Sequence, residues 1–467
     1  MPKIFNLTEG SIIKKLFLVA LPVLMTSLAQ MAYNLADMFW IGHVDNIGLI
    51  ESEAISAVGT AGMIAWFSFG IILIAKIGTS VRVSHAAGNN DEAGISKYAS
   101  NGLLLQIIFG VAFTLITLLF KKQMLSVFNI ENEHVTAYAL TYLSILSIGF
   151  TFQFLSNGFL SINEGLGKTR TNFFILLIGV SLNIVLDPLF ILVFRMDVAG
   201  AALATIISQG VSLLGFIIYY YLKNQSVHAF SFKSFDLDAM KKIISIGLPA
   251  GLQSLLFTTI SIIITRFIYQ FGDQVVTAQR IGVQIEQFTW MIAGGFQTAL
   301  TVYVGQNFGA AKYDRIRKGV LTLTAILIPY SILVSLMLFF IPGSIMKIFV
   351  DDPVIIEKGA RYLLIISLAQ IFMMMESIGT GLFNGLGKTL LPSISGIINN
   401  LVRIPIAIFL MKSIQEDGIW WSLNISDILK GMILLIGSIY LLRNIEKVLS
   451  RSKIKSQLQE VRDVQGV

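Results

Sequence analysis

Twelve apolar runs, each long enough to cross a lipid bilayer, fill most of the chain between residues 14 and 442. At about 20 predominantly apolar residues per helical crossing, their approximate limits are 14–40, 54–83, 99–120, 134–160, 171–195, 199–223, 243–270, 277–305, 317–341, 355–384, 390–412 and 419–442. Several exceed the minimum, which predicts tilt, bends or extension into water. Composition agrees: 55% of residues are hydrophobic and 13% charged, where a soluble domain carries about 25% charged residues, and mean hydropathy is +0.77. The segment ahead of the first run is short and mixed, and that run is too long for the h-region of a cleaved signal. There is no cysteine, which excludes disulfides and thiolate metal sites.

The runs divide six and six around the polar stretch from Lys223 to Lys242, and the two halves repeat each other. Gly165-Leu166-Gly167-Lys168-Thr169 recurs as Gly385-Leu386-Gly387-Lys388-Thr389. Leu21-Pro22 answers Leu248-Pro249, Val83 to Gly88 answers Val304 to Gly309, and Tyr142-Leu143 answers Tyr362-Leu363. The expected fold is an all-α integral membrane protein of twelve transmembrane helices in two six-helix bundles related by pseudo-two-fold symmetry. Its divisions are an N-terminal bundle over 1–222, a linker over 223–242, a C-terminal bundle over 243–443 and a basic tail over 444–467. Two copies of one membrane unit place a substrate at the seam between them, so transport leads. With the N-terminus inside, Lys and Arg favour the inner segments by roughly three to one, which places both termini in the cytoplasm. The net charge of +7 is therefore read against the bilayer, with no nucleic-acid partner implied.

Gly-Lys-Thr invites a nucleotide-binding reading that the spacing rejects. A P-loop needs a glycine five residues before the Gly of that triplet, after a strand; those positions are Ile162 and Leu382, preceded by membrane helix. The motif reads as a tight turn with its lysine at the inner interface.

Ionisable residues within spans are costly and point to function. Gln30, Tyr33, Asn34 and Asp37 fall on one face of the first span, facing a cavity, a polar neighbour or, beside Trp40, the membrane edge. In the fifth span Asn183 and Asp187 are four residues apart, and Pro188 frees the carbonyl of Ile184. Freed carbonyls beside a carboxylate and an amide oxygen suit a hard cation or a proton relay, although an Asp can also simply satisfy a proline kink. Ala201 and Thr205 repeat the four-residue spacing in the sixth span, where Thr205 either adds a ligand or back-bonds to its own helix. Aligning the prolines puts Ile264 opposite Asp37 and Ile404 opposite Asp187, so the second half lacks both carboxylates. It carries Arg266, Arg280, Glu286, Glu376, Arg403 and an Asp427–Lys430 pair instead. Asp427 with Lys430 reads as a local ion pair, Lys76 as a snorkelling lysine, and Glu286 and Glu376 as partners of an arginine or of a cationic substrate.

In this order and spacing, over essentially its whole length, the chain resembles the multidrug and toxic compound extrusion (MATE) transporters, and within them the DinF-like branch. The motifs that carry the resemblance are Leu21-Pro22 with Gln30, Tyr33 and Asp37; the Val-Ser-x-x-x-Gly stretch ending at Gly88; the doubled Gly-Leu-Gly-Lys-Thr; Asn183-x-x-x-Asp187-Pro188; and Gly200 to Thr205. The resemblance implies a V-shaped pair of bundles and export of organic, often cationic or amphipathic compounds across the cytoplasmic membrane, in exchange for H⁺ or Na⁺ by alternating access. It implies an ion site of Asp37, Asn183, Asp187, the Ala201 carbonyl and Thr205, with Na⁺ held at Asp37, Asn183, Asp187 and Thr205 if sodium is the ion. Gln30, Tyr33 and Asn157 match the surrounding cavity, to which the residue reading adds Asn34, Glu286 and Glu376. Pro22 and Pro188 are the expected hinges. No cofactor beyond the coupling ion, no catalytic residue and a monomer in the bilayer are expected. A flippase for a lipid-linked saccharide is the alternative. A membrane-embedded enzyme would need a nucleophile–base pair or metal cluster within spans, and the histidines (His43, His85, His134, His228) lie near span ends or in loops.

Overall fold

The computed structural model describes residues 5–41, 51–128, 130, 132–222 and 235–446, without the side chains of several residues between 34 and 55, among them Asn34 and Asp37. The first half contains α1 (Ile12–Ile41), α2 (Glu51–Gly88), α3 (Glu92–Ser126), α4 (Glu133–Gly165), α5 (Thr169–Pro188) and α6 (Asp197–Leu222). The second contains α7 (Leu237–Ile268), α8 (Asp273–Gly309), α9 (Tyr313–Phe340), the short α10 (Pro342–Met346), α11 (Pro353–Ser367), α12 (Gln370–Gly385), α13 (Leu390–Ile414) and α14 (Glu416–Arg443). Ten helices among the described residues are long and apolar enough to span a membrane, or eleven when α11 and α12, bent by 50°, count as one span. The remaining long helix, α8, owes its lower hydropathy to polar residues such as Gln279, Arg280, Gln284, Glu286 and Gln287. The seventh span begins at Leu237, before the expected 243, because Asp236 caps α7 by accepting from the amides of Asp238 and Ala239.

Both Gly-Leu-Gly-Lys-Thr copies end a helix as the turn reading requires. Gly167 (φ 74°) and Gly387 (φ 71°) adopt the left-handed conformation. The Gly167 amide donates to Glu164 O at 2.8 Å and the Lys168 amide to Asn163 O at 2.7 Å, with Gly387 to Asn384 O and Lys388 to Phe383 O in the second copy. That pair of bonds is the glycine-terminated helix end that satisfies the last carbonyls. The threonine of each copy then reaches the first helix of its half. Thr169 Oγ1 donates to Val19 O at 2.9 Å and Thr389 Oγ1 to Ile246 O at 2.6 Å, each carbonyl three residues before a proline.

The halves join by reciprocal packing. A side chain on Gly78 would strike the backbone of Ile243, and one on Gly247 would strike Ile74, so α2 and α7 cross backbone to backbone. Gly295 of α8 admits Leu24 of α1 in the related crossing. Accordingly Leu16, Val19 and Ala20 share a core with Phe296, Tyr303 and Val304 of the second half, while Met240 and Ile243 join Ala75 and Leu105 of the first. These crossings fall in the parts of the helices nearest the two glycine turns, the turn end of the molecule. Lys76, read as a snorkelling lysine, has its Nζ 3.3 Å from Glu164 Oε1 in the last turn of α4 before the first glycine turn.

Candidate functional site

In α5, Asn183 and Asp187 stand one turn apart and are almost fully buried, with Asn183 Nδ2 donating to Asp187 Oδ1 at 3.3 Å. Pro188, without an amide hydrogen, ends the regular ladder, and the chain continues as a wider π-turn over Leu189–Val193, in which the Phe194 amide donates to Leu189 O. Gly200 lets α6 start directly against that turn: a Cβ there would sit 2.9 Å from the Phe190 carbonyl carbon. Lower down, Gly179 packs on Ser208 and Ser212. In antiparallel helices that register sets Asn183 level with Thr205 one turn further along.

Thr205 Oγ1 donates to Ala201 O at 3.0 Å, so its back-bond forms. Its proton is thereby used, and the 3.2 Å contact with the Tyr33 hydroxyl is a bond that Tyr33 donates, tying α1 to α6. Asn183 Oδ1 is buried and accepts no hydrogen bond from the described residues. An amide oxygen left so in an apolar interior costs about 1–3 kcal/mol, and the Oδ1 of Asn400 in the second half is likewise without a hydrogen bond from the described residues. Ala201 O keeps a second lone pair. Asn183 and Asp187 are thus buried polar groups of α5, and Ala201 and Thr205 buried groups of α6, the helix against which Tyr33 brings α1.

The side chains of other expected residues are described only in part. Those of Asn34 and Asp37 lie outside the described residues, so the pairing of Asp37 with Asp187 is not described. Asn157 is buried and donates within its own helix to Gln153 O at 3.0 Å, and Gln30 is exposed on α1. Pro22 sits inside an α1 that remains helical to Ile41.

The second half fills the corresponding place differently. Gly418 touches the backbone of Leu410 and Met411 as Gly200 touches Phe190, so Ile419 and Leu423 stand where Ala201 and Thr205 do. With Ile404 and Ile264 they join an apolar core around Trp420 and Tyr362. Asn400, opposite Asn183, remains a buried amide. The charges collect on α12, α13 and α14 instead. Arg403 donates from Nη2 to Asp427 Oδ1 at 2.6 Å and from Nε to Ser426 Oγ at 2.9 Å. Lys430 Nζ lies 2.7 Å from the same Asp427 oxygen and 3.4 Å from Glu376 Oε2. The local Asp427–Lys430 pair is real, then, but is the middle of a four-residue network with two charges of each sign. Nothing in sequence spacing joins Arg403 and Glu376 to it. Glu286 accepts from Tyr362 Oη at 3.0 Å and, without forming an ion pair among the described residues, lies near enough to Asp427 and Arg403 to feel their charges. Arg280 bonds Tyr269 Oη at an exposed position.

A family model described as MatE matches residues 22–189 and 249–409, one block in each half. The chain belongs to the MatE family. It is therefore a multi-pass membrane transporter and not an enzyme. MatE relatives include a probable multidrug resistance protein NorM of Thermotoga maritima, 28% identical with 95% of each chain covered. Multidrug export protein MepA of Staphylococcus haemolyticus is 26% identical, covering 95% of this chain and 96% of its own. Among solved structures, a MATE protein in the bent conformation superposes with a TM-score of 0.87 at 21% identity, over 95% of this chain and 98% of its own. An outward-facing multidrug resistance MATE family transporter gives 0.84 at 21%, over 94% and 97%. These likenesses show the fold, two pseudo-symmetric six-helix bundles.

Proposed function

We propose that this chain exports organic, cationic or amphipathic compounds across the cytoplasmic membrane in exchange for H⁺ or Na⁺, as a DinF-like member of the family. The named activity of its multidrug relatives supports drug export. In this reading 1–222 and 243–443 are the two lobes, 223–242 is a connector and 444–467 a cytoplasmic tail; the protein acts as a monomer with both termini inside. The observation that carries coupling is the buried, bonded Asn183–Asp187 pair of one lobe, with a buried Thr205 on the next helix, against an apolar core at its counterpart. An ionised carboxylate in such a place needs a proton or a cation. Asp37, on the helix that Tyr33 ties to α6, is the second carboxylate of the same unit. Binding must favour one access state over another, because an ion that binds both equally shifts nothing. Pro22 and the π-turn after Pro188 are where the two helices can yield. Among the second-lobe carboxylates, Glu286 is the better attractor of a cationic substrate, since Glu376 already faces Lys430.

The flippase alternative called for a basic cavity, but Arg403 is neutralised by Asp427. Transport into sealed vesicles, with proton and sodium gradients imposed separately, tests the proposal. Accumulation driven by either gradient supports it; accumulation indifferent to both sinks it.

A further inference from the structure

Each lobe's first helix is preceded by a strap that fastens to the other lobe. Residues 5–10 precede α1, yet Leu7 is fully buried in the core shared with α8 and α9. Its amide donates to Gln306 Oε1 at 3.0 Å, and its carbonyl accepts from Asn307 Nδ2 and Arg315 Nη2, both at 3.3 Å. Lys312 Nζ reaches Thr8 O at 3.1 Å, and Arg315 reaches Gly10 O at 3.2 Å. The strap is also held by its own lobe, through the Phe5 amide on Leu166 O at 3.0 Å. Gln306 completes the clasp by donating from Nε2 to Gly165 O of the first glycine turn at 3.2 Å. The related place ahead of α7 repeats the arrangement with fewer bonds. There the Asp236 amide donates to Asn101 Oδ1 of α3 at 3.0 Å, and its carboxylate pairs with Lys97. Between the straps, His85 Nε2 donates to Gly385 O of the second glycine turn at 2.7 Å.

We propose that these straps are a two-part latch holding the turn end shut, and that the 5–10 strap must leave Gln306 and Arg315 whenever the lobes separate there. The reasoning is geometric. The strap bonds to Leu166 on one lobe and to α8 and α9 on the other, so the lobes cannot part at that end while both sets persist. Most bonds to the second lobe end on backbone carbonyls and an amide of the strap, and the side-chain contacts of Lys312 with Thr8 Oγ1 and the Glu9 carboxylate are at least partly exposed, so exchange for water releases them all without leaving a buried charge. Leu7 is the fully buried apolar anchor that must be withdrawn, and Phe5 packs beside it on the same core. The inference goes beyond alternating access as proposed above, because it names the contact that sets the balance between closed and open turn ends.

The chain has no cysteine, so introduced thiols are modified without background. Arg170→Cys and Leu391→Cys, exposed positions beside the two glycine turns, carry spin labels for distance measurement in the full-length protein. Arg315→Ala, and separately Gln306→Ala, should move the main population to longer distance. In an unlabelled sample, Thr8→Cys with Lys312→Cys, joined by a short reducible bis-thiosulfonate linker, should lose transport and regain it on reduction. A distance distribution unchanged by Arg315→Ala and Gln306→Ala, or full transport with the linker in place, overturns the latch. Transport with the linker in place would leave the export reading standing. An unmodified protein that carries nothing would instead overturn that reading, and the distance data would still judge the latch.

Discussion

Replacing Asp427 by Asn removes the carboxylate that both Arg403 and Lys430 contact. The side chains of Arg403, Lys430 and Asp427 are 6%, 4% and 12% exposed, so neither cation has water to turn to. Breaking a buried pair from one side costs about 3–5 kcal/mol, because the abandoned charge stays buried. Here Glu376 remains 3.4 Å from Lys430 and compensates part of that charge, while Arg403 keeps Ser426, a distant Phe257 ring and the longer-range attraction of Glu376 and Glu286. The low end, about 3 kcal/mol, is therefore expected, roughly two powers of ten in the folded-to-unfolded ratio. Glu376→Gln should cost less than Asp427→Asn, since Lys430 keeps its shorter contact with Asp427 and the Gln amide oxygen can still accept from it. Denaturant unfolding in detergent micelles measures the series. Adding Arg403→Met to Asp427→Asn should recover most of the loss, because the pair, not either residue, is what the lobe tolerates. Parental stability for Asp427→Asn, or no recovery in the double variant, would refute the reasoning.

Gly247→Val should destabilise the lobe contact by about 1–3 kcal/mol or more, since its side chain meets the Ile74 backbone, whereas Gly294→Ala, with open space around it, should be near neutral; thermal unfolding separates them. Glu286→Gln should narrow the range of cations exported while leaving gradient coupling intact, read from ion stoichiometry and substrate competition; loss of coupling would move the ion site to the second lobe. Asp236 lies outside the membrane, and the hydrogen bond from Lys97, followed by those from the α7 amides, holds its pKa below the usual carboxylate value. Its folded pKa being lower, the stabilisation is complete above the unfolded value of about 3.9 and fades as pH falls through the folded one. The exposed pair contributes at most about 1 kcal/mol. Hydrogen exchange at the start of α7 should thus be flat from pH 5 to 8, once corrected for intrinsic rates, and rise in acid, and Asp236→Asn should abolish the acid step.

Elements set by local rules were legible in the sequence. Run length and spacing located the spans, and a glycine before Lys-Thr after a helix gave the two turns, because helix ends obey rules of a few residues. The placement of Asn183, Asp187 and Thr205 inside apolar helices was legible for the same reason, and the structure buries all three. What escaped depends on contacts between distant segments. The partner of Lys76, Glu164, comes from α4. Arg403, Asp427, Lys430 and Glu376 lie on three helices, and only the packing of α12 and α13 on α14 makes them one network. The straps carry no motif, since most of their bonds use backbone groups that every residue has.

The central claim is that coupling resides in the first lobe, and Asp187→Asn tests it most directly. Asn keeps the size of the side chain and its bond to Asn183, so folding and substrate binding should persist. Gradient-driven accumulation in sealed vesicles should fall to the level of vesicles without a gradient, while substrate binding measured in the same preparation stays within a few-fold of the parent. Accumulation by Asp187→Asn at the parental rate under the same gradient would contradict the account.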